Sequence, residues 1–171
     1  MSFDATLSRT RRRGRCAAAL FVAAALFASA HAQAAQFELL AGPSWTSGQR
    51  STKAVFFEAL GETRTWHALR WQPDVGLGWI EARGTPRERL DHDVGVAAAG
   101  VRLPDLWHGL FVGFQLAAAT PHTGALCSAQ QFVSSLGWRR GRAVVMLRHI
   151  SNGSTREPNL GETMLLAGVD F

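Results

Sequence analysis

From residue 36 onward the chain reads as short apolar runs with weak every-second-residue alternation, separated by Gly, Pro and charged clusters. That rhythm predicts strands and turns. Eight strands are expected, at Phe37 to Trp45, Ser51 to Leu60, Arg64 to Ala82, Asp91 to Leu103, Leu110 to Ala119, Gln130 to Trp138, Arg142 to Ser151, and Gly161 to Phe171. The third is long and could be split at Pro73. An even count joined alternately by long and short connections predicts an all-β fold, an eight-stranded antiparallel transmembrane β-barrel with residues 35–171 as its single domain. The long connections, Thr46 to Arg50, Arg83 to Leu90, Thr120 to Ala129 and Asn152 to Leu160, then fall at one rim. The short ones, Gly61 to Thr63, Pro104 to Gly109 and Arg139 to Gly141, fall at the other.

The first 34 residues follow another pattern. Arg9, Arg11, Arg12, Arg13 and Arg15 precede an apolar run from Cys16 to Ala30. This run is shorter than the roughly 20 residues a helix needs to span a bilayer. Small residues at Ala30, Ala32 and Ala34 follow, so residues 1–34 are expected to be a cleaved signal peptide, with cleavage falling between residues 30 and 35. Removal takes away five of the 18 Lys and Arg residues and one of the 13 acids, which leaves 13 against 12. The high isoelectric point therefore belongs mostly to the leader, and nucleic acid is not an expected partner.

Cys127 is then the sole cysteine, so no intrachain disulfide can form. Later apolar runs are all broken by Gly, Pro or a charge, and entry into a membrane would be by strands. Trp66, Trp71, Trp79, Trp107 and Trp138 fall near strand ends or in turns, where the aromatic girdles of membrane barrels sit.

Candidate chemistry is concentrated near the end of the chain. In the seventh predicted strand, His149 and Ser151 are two residues apart and share a face. An imidazole within reach of a hydroxyl can take its proton and make it a nucleophile toward an ester. Ala143, Val145 and Leu147 lie on that same face, and Arg142 and Arg148 on the other. A charge on the lipid face costs about 2–4 kcal/mol at the midplane, so the arginines should point into the lumen and the pair out toward lipid. Nine steps of ~3.3 Å from Arg142, tilted by ~45°, bring Ser151 close to the far edge of an apolar band ~25 Å tall. In the last strand, alternation back from the terminal Phe171 turns Thr163 outward and Glu162 inward.

The segment His149-x-Ser151-Asn152, followed by Pro158-Asn159-x-Gly161-Glu162, resembles the motif of the outer-membrane lipid A 3-O-deacylase (PagL-like) family. Signal peptide, length and terminal Phe agree with it. The resemblance implies an outer-membrane barrel that hydrolyses the ester-linked acyl chain at position 3 of lipid A with a Ser-His-Glu triad. Carried over, Ser151 is the nucleophile, His149 the general base, and Glu162 the acid, provided a bulge or the loop near Gly161 re-aims it. Asn152, Asn159 and the Gly153 N–H are candidates for holding the oxyanion. Lipid A, or the lipopolysaccharide that contains it, is the expected substrate partner; no metal or cofactor is required, and a homodimer is left open. Among Arg50, Lys53, Arg83, Arg87, Arg89 and Arg156, most are expected to be solvated loop charges and at most two or three to meet substrate phosphates. The competing expectation is a non-enzymatic barrel for adhesion, envelope packing or partner binding.

Overall fold

The computed structural model describes residues 36–48 and 50–171; the expected signal segment and its cleavage site lie outside the described residues. Nine strands form: β1 (Gln36–Trp45), β2 (Ser51–Leu60), β3 (Arg64–Trp66), β4 (Leu69–Ile80), β5 (Val94–Trp107), β6 (Leu110–Thr120), β7 (Gln130–Arg140), β8 (Ala143–Ser151) and β9 (Glu162–Asp170). Eight of them close into an antiparallel barrel. Each pairs with its neighbour, β1 pairs with β9, and β2 pairs with β4 across the short β3. Closure leaves these strands no free edge. Among the described residues the only helical element is a 3-10 turn at Arg87–Arg89.

The expected third strand is divided, though at His67 and Ala68 rather than at Pro73. Trp66 pairs with Leu69 across a tight hairpin, with His67 at φ 53°. Pro73 remains inside β4 opposite Val101, its carbonyl accepting from the Gly61 N–H. A second departure lies in β5, which runs through Pro104 to Trp107 where a loop was expected. A register shift between Leu103 and Trp107 absorbs Asp105, at φ 53°.

Alternation sorts the side chains into two populations. The outer wall carries Leu39, Val55, Phe57, Leu77, Phe114, Leu116, Leu136, Leu147, Leu165 and Val169, all largely exposed. The lumen is filled by side chains, as small barrels require. Arg148 donates to Glu58 at 2.6 Å and to Ser135 at 3.2 Å, and its guanidinium lies 4.6 Å from the centre of the Phe56 ring. Arg102 reaches Asp74 at 3.0 Å and Glu38 at 2.8 Å, 4.5 Å from the Phe111 ring. Both rings rest on glycine, for a Cβ on Gly78 would run into Phe56 and one on Gly137 into Phe111. Each of the two guanidiniums thus lies against at least one carboxylate, which offsets part of its desolvation.

The four longer loops interlock above one rim. Gly124 donates to the Glu88 carbonyl at 2.6 Å, Leu160 to that of Gly124 at 3.2 Å, and Gly161 to that of Ala125 at 3.1 Å. Ser47 donates to the Leu160 carbonyl at 3.2 Å. Leu90, Ala125 and Leu126 join the buried apolar cluster beneath them.

Candidate functional site

The site is set by β8. Val144, Met146, Arg148 and Ile150 are buried in the lumen, while Val145, Leu147, His149 and Ser151 take the outer face. Ser151 is the last residue of the strand, at the rim that bears the long loops. His149 stands opposite Ser134 of β7 and Thr163 of β9. Ser134, His149, Thr163 and Ser151 therefore form a polar group on a wall whose neighbours, Phe132, Leu136, Leu147 and Leu165, are apolar. Trp45 flanks it on β1, opposite Thr163.

The imidazole is held from two directions. Its Nδ1 lies 3.0 Å from Thr163 Oγ1. Its other edge lies against Gly161, where an added Cβ would come 3.0 Å from Cε1 and 3.4 Å from Nε2. Gly161 has φ 64°, a region that disfavours a side chain as well, so both backbone shape and ring position call for glycine here. Nδ1 is thus turned across the sheet to β9, and the Cε1–Nε2 edge lies beside Gly161, just before that strand begins. No hydrogen bond joins His149 to Ser151 among the described residues.

Glu162 is not brought to this group. It is 2 % exposed and faces the lumen, where Oε1 accepts from Arg83 at 3.0 Å and Oε2 accepts from Arg83 at 2.7 Å and from Ser44 at 2.6 Å. The regular pairing of Ile150 with Glu162 and His149 with Thr163 shows no bulge that would re-aim it. Consequently the residue beside the histidine is a threonine. Arg83, one of the six loop charges considered for phosphate contact, is withdrawn into the upper lumen, where its own Nε donates to the Arg50 carbonyl.

The three oxyanion candidates part company. Asn152 is fully buried, and its amide donates to the Cys127 Sγ at 3.1 Å and to the Arg156 carbonyl at 2.8 Å. It therefore organises the loop rather than facing the outer wall. Asn159 Oδ1 accepts from the Asn152 N–H at 3.4 Å. Gly153, at φ 64°, is exposed beside Phe132, and its N–H has no partner among the described residues. It is a free donor two residues after Ser151, and the Asn159 amide nitrogen is likewise without a partner among the described residues. Sequence reasoning missed Ser134 altogether, because its closeness to His149 depends on the register between two strands. The nearby loops also enclose a cleft bordered by Arg89, His122, Cys127, Arg156 and Glu157.

No family model matches the chain, and no curated protein does. Among solved structures it is similar to the outer membrane enzyme PagL, with a TM-score of 0.52 at 15% identity over 80% of this chain and 98% of that one. It is also similar to the Yersinia pestis outer membrane protein Ail, determined in a phospholipid bilayer nanodisc. Here the TM-score is 0.50 at 11% identity over 81% of this chain and all of the other. At such identities the likeness is one of fold.

Proposed function

We propose that the protein is an outer-membrane lipid A 3-O-deacylase that works with His149 and Ser151. The observation that carries this reading is the polar group of Ser134, His149, Thr163 and Ser151 set among the outward apolar side chains of Phe132, Leu136, Leu147 and Leu165. Polar groups facing hydrocarbon are costly, and a substrate that is itself a lipid gives them a use. The fold shared with two outer membrane proteins supports the location. The choice of lipid A and of its 3-linked chain comes from the motif between His149 and Glu162.

The chemistry follows from the group. Ser151 Oγ attacks the acyl carbonyl as its proton passes to His149 Nε2, and the Gly153 N–H is available to the oxyanion. The C–O bond to the sugar then breaks, and the departing oxygen takes the proton from Nε2. Water deprotonated by the same nitrogen attacks the acyl-serine, releasing the fatty acid and returning the proton to Ser151. The gap between His149 and Ser151 in the unliganded protein is compatible with this, because catalytic hydrogen bonds often tighten only when substrate is bound. In the cleft between the longer loops, Arg89 and Arg156 offer charge-assisted donors to phosphates of the headgroup.

The test is incubation of purified, folded protein with lipid A. Wild type should release the 3-linked fatty acid, and Ser151→Ala should release none while keeping its barrel. Equal release by both would reject the mechanism. A non-enzymatic barrel is the second reading, favoured by one observation: the carboxylate expected beside His149 is engaged with Arg83 in the lumen. On that reading lipid A is unchanged by the wild type.

A further inference from the structure

The hydrolase reading leaves open what holds His149 in a productive form, and this inference rests on that reading. A neutral imidazole carries one N–H, and the partner of one ring nitrogen decides whether the other is free to accept a proton. In His149 the two nitrogens have different surroundings. Nδ1 is 3.0 Å from Thr163 Oγ1, whereas Nε2 has no hydrogen-bond partner among the described residues and lies beside Gly161, the residue that precedes β9.

We propose that Thr163 is the positioning residue of the site, its hydroxyl oxygen accepting the Nδ1–H of His149 so that the Nε2 lone pair faces Ser151. The opposite polarity, with the threonine donating to Nδ1, puts the proton on Nε2, where it would confront the Ser151 hydroxyl instead of receiving its proton. Strand pairing fixes the contact: Thr163 lies directly across from His149, and both side chains stand on the outer face. Its other neighbour across the sheet is Trp45, whose indole supplies no acceptor to compete for the imidazole. Glu162, one residue earlier, has the charge for this task but the wrong face, so a neutral hydroxyl holds the position a carboxylate would otherwise take. An uncharged partner selects the tautomer but stabilises the imidazolium that forms during attack less than a carboxylate would. The site should therefore be slower than one with a carboxylate at the same place, and Thr163→Glu should raise the rate.

The test combines rate with a direct reading of the ring. Protein carrying 15N-labelled histidine, folded in detergent micelles, is compared as wild type, Thr163→Val and Thr163→Ser, with His149→Gln to assign the resonances. The wild type should hold its proton on Nδ1; Thr163→Val should give a mixture of tautomers and lower the turnover of lipid A about fivefold, the contribution of one neutral hydrogen bond. Thr163→Ser should restore both. Wild-type turnover with the ring already protonated on Nε2, or unaltered tautomer and rate in Thr163→Val, overturns the role of Thr163 and leaves the hydrolase standing. A wild type that releases no acyl chain overturns the hydrolase reading itself, before any variant is compared.

Discussion

Replacing Glu162 with glutamine separates a structural role from a catalytic one. The carboxylate is buried and accepts three hydrogen bonds, two from the Arg83 guanidinium at 3.0 and 2.7 Å and one from Ser44 at 2.6 Å. Glutamine keeps the shape but loses the charge, and its amide can turn only one acceptor oxygen toward those three donors. Arg83, 5 % exposed at its side chain, is left without a counter-charge. Breaking a buried pair by removing one partner costs about 3–5 kcal/mol. The surviving acceptor and the nearness of Arg83 to the loop rim argue for the lower end, about 3 kcal/mol or roughly two orders of magnitude in the folding equilibrium constant. Urea unfolding of protein inserted in phospholipid vesicles measures this as a lowered midpoint. Fatty acid release, expressed per folded molecule, should remain near that of the wild type, because the carboxylate lies on the opposite side of the wall from His149. A Glu162→Gln protein as stable as the wild type but unable to release fatty acid would refute the reasoning.

Three further substitutions probe the wall, the lumen and the ring contact. Gly161→Ala forces a side chain at φ 64° and brings a Cβ to 3.0 Å from His149 Cε1; it should cost about 1–2 kcal/mol and depress turnover, and the two effects are read separately by unfolding and by fatty acid release. Leu165→Arg on the outer face should destabilise the vesicle-inserted barrel by about 2–4 kcal/mol and by far less in detergent micelles, which can adapt around the charge. Gly137→Ala pushes on Phe111 in the lumen and should cost about 1–3 kcal/mol through overpacking, seen as a lowered urea midpoint with near-wild-type turnover per folded molecule.

Strand order and facing were legible because period-2 alternation follows from an exposed apolar wall on one side and a packed lumen on the other. Ser51–Leu60 falls at the bounds the pattern predicts, and Arg148 faces inward with His149 outward as the charges of that strand require. The hairpin at His67 and Ala68 was not legible, since no Gly or Pro marks it and a histidine takes the positive φ. Nor was the course of β5 through Pro104, where a bulge carries a residue type that normally ends a strand. At the site, alternation alone put Glu162 on the inner face; what sequence could not supply was its partner, because Arg83 lies 79 positions away in a different loop. Asn152 illustrates the same limit. Its position beside Ser151 suggested the oxyanion, while its side chain turned out to fasten Cys127 to the Arg156 backbone.

The most direct measurement is the mass of lipid A from bacteria that make the wild-type protein, from those that make a folded Ser151→Ala form, and from those that make neither. The account predicts lipid A lighter by one 3-linked acyl chain in the first alone. Identical masses in all three would contradict it and leave a barrel whose outward histidine and serine carry out no hydrolysis.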